Sequence, residues 1–289
     1  MQHVIKFFST IILIVFLQGI IYVTSVKPYI SSWGATSAEQ SMPLKGDAPG
    51  FIIDSTRAVL IRAPQPLVWQ WLMQLGADRG GFFSYEIIEN VLGYHSRYPA
   101  MTQPRFGHFK VGDWVQGSLN EKESVIPFRF QVTLLRPDQT MVLSHWGTFF
   151  LQSVGADTTR LIVRTQHEAS DRVSSRLASQ VMIPLHYIME RRMLLGIKDR
   201  AENGKDYRLS NAKDMTWFLA LLVSAAVIVY LIGAGRGVVQ RVVVPFIFST
   251  CWQLTLLWLE PVPLYSVLLI LMLIVFVISR WHVLRQGTE

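Results

Sequence analysis

The chain has 289 residues, a net charge of +7 and an apolar fraction of 51%, and its mean hydropathy is +0.31. Such a mean hydropathy is too high for an ordinary soluble protein. The positive charge does not indicate a nucleic-acid partner, because no basic–aromatic motif occurs and five basic residues flank apolar runs: Lys6, Arg236, Arg241, Arg280 and Arg285. The single cysteine, Cys251, excludes an intrachain disulfide and a cysteine-rich zinc site.

Four uncharged apolar runs predict transmembrane helices, since each is near the roughly 17–20 residues that cross a hydrocarbon core. They are Phe7–Val23, Trp217–Ile232, Val242–Leu259 and Leu264–Ile278. The first run could alternatively belong to a cleaved signal peptide, although no A-x-A-like site follows it. We predict an N-terminal anchor over 1–27, a juxtamembrane linker over 28–50, a three-helix transmembrane region over 215–281 and a tail over 282–289.

The basic residues give two opposing signals for orientation. The short loop 233–241 and the tail after Ile278 each carry two arginines, which places both termini in the cytoplasm and the central segment outside. Five basic residues before the second run favour the opposite orientation: Lys198, Arg200, Lys205, Arg208 and Lys213. We favour an extracytoplasmic central segment in a protein of the bacterial inner membrane.

The central segment begins with a strand and two short helices. Thr36 and Glu39 have the spacing of a capping box, and alternating residues before Ala63-Pro64 predict the first strand. The next apolar residues recur at i, i+3, i+4 and i+7, which predicts an amphipathic helix: Val68, Trp71, Leu72 and Leu75. A second short helix is predicted from Tyr85 to Leu92.

About five antiparallel strands and one long helix follow. Alternation is clearest from Phe128 to Leu134, and turn residues separate the later strands up to His167. From Ser174 to about Ala201 the period changes to that of a helix, with Pro184 inside, where we expect a kink or a division into two helices. The predicted fold over 51–210 is α+β, with a curved antiparallel sheet wrapped on the long helix.

Several short motifs in this segment resemble those of the START-like helix-grip superfamily (SRPBCC), and more narrowly its polyketide cyclase/dehydratase-like bacterial members that carry membrane helices. The similar motifs include Trp33-Gly34-Ala35-Thr36, Gln74-Leu75-Gly76, Arg79-Gly80-Gly81-Phe82, Gly112-Asp113 and Met193-Leu194-Leu195-Gly196. The resemblance spans Trp33 to Glu202. It implies the helix-grip fold with an apolar cavity between sheet and long helix, but no single activity, because this fold hosts binding, transfer and catalytic proteins.

The candidate ligand-binding residues are those that would line this cavity. Methionine suits irregular apolar ligands, and aromatic rings supply large contact areas. The predicted lining is Trp71, Phe128, Phe130, His145, Phe149, Met182, Met189 and Met193. For each of these residues, packing in an ordinary core is the competing interpretation.

The polar candidates lie in the turn between the two short helices. Asp78 and Arg79 are predicted at the cavity rim, where they would orient a head group. Alternatively, Asp78 caps the turn and Arg79 pairs structurally with Glu86 or Glu89. The runs 190–192 and 198–200 are predicted to lie on the solvated face of the long helix. The histidines lack metal-ligand spacing, so no metal and no cofactor are predicted. No catalytic motif occurs, although His145 and His167 could face the cavity.

Three hypotheses follow, in order of preference. The first is a membrane-anchored module that binds a hydrophobic small molecule or lipid, with the bilayer as its other partner. The second is a structural or assembly role in which the C-terminal spans bind a protein partner. The third is an enzyme of polyketide cyclase/dehydratase type that uses Asp78, Arg79 or a cavity histidine as acid or base.

Overall fold

The computed structural model describes residues 1–95, 98–120, 122, 128–168, 173–204 and 211–286. The chain divides into two compact units. The domain unit comprises Ile30–Leu209, and the helical unit comprises Met1–Tyr29 with Ser210–Glu289.

The domain unit has the predicted α+β order of a strand, two short helices, five further strands and a long helix. Before it, α2 (Lys27–Ser31) spans the boundary between the units. The elements are α3 (Ser37–Ser41), β1 (Phe51–Ile61), α4 (Gln65–Leu72), α5 (Glu86–Val91), a 3₁₀ turn (Pro104–Phe106), β2 (Trp114–Gln116), β3 (Arg129–Arg136), β4 (Thr140–Leu143), β5 (Gly147–Gly155), β6 (Thr158–Glu168) and α6 (Val173–Asn203).

The six strands form one antiparallel sheet in the order β1-β6-β5-β4-β3-β2. Bulges interrupt the register at Ile53/Ser55, Val132/Leu134 and Ser153/Gly155. Because a bulge bends its strand and increases the local twist, these three positions curve the sheet. The six-stranded sheet and the long helix are consistent with the predicted helix-grip arrangement.

One face of the sheet packs with α4 and α6 around a continuous apolar core. Alternate β6 residues Leu161 and Val163 join this core, together with Met193 and Leu194 of α6. Pro184 lies inside α6, which continues through it as one α-helix rather than dividing in two. The core therefore lies between the sheet and the helices α4 and α6.

The opposite face of the sheet is covered by the segment that the sequence predicts as a linker. Thr36 and Glu39 form the predicted capping box at the start of α3. Arg160 of β6 pairs with Glu39 at 2.7 Å, and Arg164 donates to Asp47 at 2.6 Å and to three carbonyls of this segment. Residues 33–47 are thus part of the folded domain unit.

The outer edge of β1 is closed by the same segment. The Ala58 amide donates to the Trp33 carbonyl at 3.0 Å. Gly34 then approaches so closely, with a φ of +72°, that a Cβ there would lie 2.1 Å from the Ala58 oxygen. Blocking an edge strand in this way prevents it from pairing with another chain.

The helical unit contains a long N-terminal helix and three further helices. Its elements are α1 (Gln2–Ile21), a π-helix (Tyr22–Val26), α7 (Asn211–Ala234), a second π-helix (Val239–Val243), α8 (Val244–Leu257) and α9 (Pro263–Gln286). Polar contacts join them, since the Gln18 amide donates to Ser249 and Thr250 at 2.8 Å and the Trp252 indole donates to the Leu221 carbonyl at 2.9 Å.

The prediction of four membrane spans needs correction, because only two described helices are long and apolar enough to cross a membrane. These are Gln2–Ser31, with 30 residues, and Asn211–Ala234, with 24 residues. The third apolar run is divided between a π-helix and the 14-residue α8. In the fourth run, the residues whose side chains the structure describes form an apolar helix, Pro263–Ser279, which is the first part of α9. An apolar run in a sequence does not show where regular helix geometry changes within it.

We predict that Gly196→Ala destabilises the protein. A Cβ at Gly196 would lie 2.2 Å from the Phe83 carbonyl oxygen, so α6 must move away from the loop before α5. Overpacking of this kind costs about 1–3 kcal/mol. Thermal unfolding of the detergent-solubilised chain measures the loss. Gly155→Ala is the control, because its nearest neighbour would be 4.0 Å away; equal stability of the two variants would contradict the prediction.

Candidate functional site

Glu190 lies at the centre of a polar cluster inside the domain unit. It projects from α6 toward the sheet and is 1% exposed. One carboxylate oxygen accepts from the Arg57 Nη1 of β1 at 2.8 Å. The other oxygen accepts from the Trp146 Nε1 and from the Thr165 hydroxyl, both at 3.1 Å. The carboxylate therefore connects α6 to three separate parts of the sheet layer.

Arg57 is held as firmly as the carboxylate. Its Nε donates to the Ile30 carbonyl at 2.7 Å, and its guanidinium carbon lies 5.0 Å from the centre of the Tyr187 ring. Period-two alternation explains this position, because Arg57 and Val59 share the face of β1 that packs against α6. A buried charge without such partners would strongly destabilise the fold.

Glu190 remains ionised in this environment. Burial alone raises the pKa of a carboxyl, but Arg57, the protonated form of His186 and the Trp146 hydrogen bond together outweigh burial and hold the pKa of Glu190 below its ordinary value. The cluster thus contains a fixed negative charge next to a fixed positive charge, and it presents the pair to the aromatic side chains around Trp146.

His186 lies one helical turn before Glu190, with its Nε2 3.5 Å from a Glu190 oxygen. Its side chain keeps 34% of its surface exposed, unlike that of Glu190. Burial lowers the pKa of His186, and the positive charge of Arg57 lowers it further. Together they exceed the attraction of Glu190, which acts in the opposite direction. The imidazole is therefore held neutral and can donate or accept a hydrogen bond at the surface of the cluster.

An aromatic group surrounds the polar cluster. The Trp146 ring centre lies 4.9 Å from that of Phe130, 5.2 Å from Phe149, 5.8 Å from His186 and 5.9 Å from Phe82. Phe128 extends the group at 5.5 Å from Phe130. We call Phe82, Phe128, Phe130, Trp146 and Phe149 the aromatic wall.

The predicted cavity-lining residues occupy three different environments. Trp71, Phe149 and Met193 are buried in the core. Phe128 and Phe130 pack against the core while remaining partly exposed, and Met189 is also partly exposed. The aromatic wall thus unites three of the eight predicted residues, while Trp71 contacts Phe83 instead, at 5.5 Å between ring centres.

The remaining two predicted lining residues lie outside this layer. Met182 is 50% exposed on α6. His145 is exposed in the turn between β4 and β5, with a φ of 59° that turns the chain away from strand geometry. The sequence predicts His145 within a strand, and a turn residue of this kind breaks the alternation on which that prediction depends.

The predicted polar rim lies in a turn that hydrogen bonds to backbone carbonyls hold in place. Asp78 is exposed, whereas the Arg79 guanidinium donates to the carbonyls of Met73 and Phe106 at 3.1 and 2.8 Å. It also stacks on Phe109, with 3.9 Å between its carbon and the ring centre. These hydrogen bonds go to backbone carbonyls rather than to the carboxylates expected from the sequence. Arg79 therefore ties the turn to the loop that contains the 3₁₀ turn.

The predicted acid–base groups belong to different parts of the domain. Arg79 faces the Phe106 loop, His145 is exposed in the β4–β5 turn, and His167 binds Asp54 at 2.7 Å near the end of β6. The groups that do converge are Glu190, Arg57 and His186. Among the residues that the structure describes, no group of three His, Cys, Asp or Glu side chains could hold a metal ion.

The prediction that residues 190–192 and 198–200 form a solvated face is wrong for Glu190, Arg191 and Arg200, which are 1%, 0% and 1% exposed. A signal for burial was present in the helical period. Ile183, Tyr187, Glu190, Leu194, Ile197 and Ala201 recur at intervals of four and three, and all are buried. A carboxylate in register with apolar residues indicates a buried partner.

This arrangement defines an α+β domain, consistent with a helix-grip arrangement, in which a polar cluster lies behind a partly exposed aromatic wall. Two solved structures show a distant similarity. The Aha1 dimer from Colwellia psychrerythraea is 18% identical, with 52% of this chain and 96% of that chain covered and a TM-score of 0.27. A Polyketide_cyc-like protein from Corynebacterium glutamicum is 13% identical, with 56% and 100% covered and the same TM-score.

No protein-family model matches the chain, and no curated protein matches it. Structural similarities at this identity and TM-score say nothing of function. The helix-grip description rests on the order of elements and on the sheet topology.

We predict that Arg57→Met strongly destabilises the protein, because it leaves the Glu190 carboxylate buried without its cation. Breaking a buried pair on one side costs about 3–5 kcal/mol, whereas replacing both partners by apolar groups is often near neutral. The double variant Arg57→Met/Glu190→Leu should therefore be more stable than Arg57→Met alone in thermal unfolding.

The matched control is Lys198→Met, which breaks the partly exposed Lys198–Glu202 pair at 2.7 Å. Exposed pairs contribute about 0–1 kcal/mol, so this variant should unfold close to the unmodified chain. A loss from Arg57→Met no larger than the loss from Lys198→Met would contradict the structural role of the buried pair.

We predict that stability falls as the pH is lowered from about 7 to about 5, partly because of His186. Its pKa is lowered in the folded state, so the unfolded chain binds a proton first as the pH falls below about 6.5. This contributes a slope of at most about 1.4 kcal/mol per pH unit. His186→Gln should flatten the curve of unfolding free energy in this range, and an unchanged slope would refute the assignment.

Proposed function

We propose that the protein is a membrane-anchored helix-grip module that binds a hydrophobic small molecule or lipid between the sheet and α6. The observation that carries this proposal is the aromatic wall, whose members Phe128 and Phe130 pack on the core yet remain partly exposed. Aromatic faces that are partly open to solvent supply large apolar contact areas for a ligand.

The polar cluster supports the same function. His186 is a neutral hydrogen-bonding group beside Trp146 and keeps a third of its surface open. Ligand sites of this type combine an apolar lining with a few fixed polar groups that orient the ligand. The ion pair of Arg57 and Glu190 keeps Trp146 in place through its indole hydrogen bond. We infer that His186 contacts the polar end of the ligand.

The helical unit supports the membrane anchor. Helices Gln2–Ser31 and Asn211–Ala234 are long and apolar enough to cross a bilayer. Many large apolar side chains on α1 are more than half exposed, and hydrocarbon would cover them: Val4, Ile5, Phe8, Ile12, Val15 and Phe16. The predicted placement in a bacterial inner membrane, with the domain unit outside the cytoplasm, is part of this proposal.

We predict that Phe130→Ala weakens binding of a fluorescent fatty acid by about tenfold, because it removes a partly exposed ring from the aromatic wall. Titration of the purified full-length chain in detergent measures the change. The control is Phe150→Ala, since Phe150 points to the opposite face of β5 from Phe149.

Two results would count against this proposal. Equal affinities for the two variants would place the ligand away from the aromatic wall. Failure of the unmodified chain to bind fatty acids, together with native mass spectra free of co-extracted lipid or small molecules, would reject the binding function itself.

A further inference from the structure

A cavity lies within the helical unit. It has a volume of about 400 Å³, within the roughly 300–1,000 Å³ of ligand pockets. One side is formed by α1 residues spaced at i, i+3, i+4 and i+7, and the other by the segment that enters α8. The lining residues are Lys6, Ser9, Thr10, Leu13, Gly237, Val238, Arg241 and Val242.

The lining combines two cations with hydroxyl and apolar groups. Lys6 comes from the start of α1, and Arg241 comes from the second π-helix, far away in the sequence. Ser9 and Thr10 supply hydroxyls, while Leu13, Val238 and Val242 supply apolar surface. A ligand that fits this lining has an anionic head and a hydrocarbon tail.

The positive charge of this cavity has no acidic residue nearby in the sequence to neutralise it. Neither residues 1–29 nor residues 233–250 include Asp or Glu. Arg241 donates through Nη2 to the Gly235 carbonyl at 2.9 Å, which holds the guanidinium against the loop. Its buried Nε donates to no acceptor in the described part of the chain. The guanidinium thus keeps donor capacity for an anion.

The position of the two cations matches the level of lipid head groups. Lys6 directly precedes the apolar run Phe7–Val23, and Arg241 lies seven residues after the end of the apolar helix Asn211–Ala234. Residues at such boundaries lie where hydrocarbon gives way to head groups. Basic pockets between membrane helices at this level bind phospholipid head groups. The cavity is lined by residues near the N-terminus and by residues of the 233–242 segment. The predicted topology places both on the cytoplasmic side of the membrane.

We propose that this cavity binds the phosphate head group of an anionic phospholipid, with Lys6 and Arg241 contacting the phosphate and Val238 and Val242 contacting an acyl chain. This inference rests on the membrane placement proposed above. It concerns a different site from the aromatic wall, because the cavity is lined entirely by residues of the helical unit.

The test is native mass spectrometry of the full-length detergent-solubilised chain, titrated with phosphatidylglycerol or phosphatidylcholine. Phosphatidylglycerol should bind at lower concentration than phosphatidylcholine. Lys6→Gln and Arg241→Gln should each weaken phosphatidylglycerol binding about fivefold, since one basic residue near a lipid surface contributes about that factor. Equal binding of the two lipids would overturn the proposal.

The matched control is Arg236→Gln, which removes the same charge from the same loop. Arg236 is exposed and does not line the cavity, so this variant should change phosphatidylglycerol binding by less than about twofold. An effect as large as that of Arg241→Gln would show diffuse attraction and overturn the site. Melting temperatures show whether Arg241→Gln unfolds because it loses its bond to Gly235. If it does, the Lys6→Gln variant decides the outcome.

Two further measurements distinguish a phospholipid from a soluble phosphate ligand and this cavity from the aromatic wall. Inorganic phosphate at millimolar concentration should leave phosphatidylglycerol bound, and displacement would indicate a soluble phosphate ligand instead of a lipid. Fatty-acid binding at the aromatic wall should be unchanged in Lys6→Gln, so that failure of either site is seen independently. Alkaline carbonate extraction tests the membrane placement itself, and release of the chain from membranes would reject both the anchor and the lipid site.

Discussion

The contact between Arg57 of β1 and Glu190 of α6 is the constraint on which the domain unit depends. Two charges that are almost fully buried are tolerated only when each has its hydrogen-bond partners. Glu190 therefore requires the indole of Trp146 and the hydroxyl of Thr165 in place, and Arg57 requires the Ile30 carbonyl. A shift of α6 along the sheet would leave several of these groups unpaired at once, so the pair specifies the register of helix on sheet.

Two arginines of β6 make polar contacts on the opposite face of the sheet. Arg160 and Arg164 bind Glu39, Asp47 and backbone carbonyls of the preceding segment, which attaches residues 33–47 to the sheet. Guanidinium groups suit this task because they present several donors in a fixed plane. Both faces of β6 thus bind distant parts of the chain through polar contacts. Its apolar residues Leu161, Ile162 and Val163 are buried alongside these contacts.

The element order could be predicted from the sequence, because alternation and helical spacing are local properties. Which individual side chains are buried was harder to predict from the sequence. The methionines predicted to line a cavity do not share one environment on α6, since Met182 is 50% exposed and Met193 is buried, while the stripe with Tyr187, Glu190 and Leu194 is buried throughout. Neighbouring stripes on one helix satisfy the same helical period. Only the side chains that they meet on the sheet decide which stripe is buried. His145 is the corresponding case in the sheet. The sequence predicts it within a strand, but the chain turns at this residue and the alternation of side chains ends.

The cations of the two units differ in one physical respect. In the domain unit, Arg57, Arg160 and Arg164 each meet a carboxylate within 2.8 Å, so their charge is neutralised within the fold. In the helical unit, Lys6 and Arg241 line a cavity whose segments contain no carboxylate. The neutralised arginines next to the aromatic wall leave His186 as the polar group for the proposed apolar ligand. The cations of the cavity suit the proposed anionic lipid, because their own segments carry no carboxylate. The distribution of acidic residues, rather than of basic ones, therefore separates the two sites chemically.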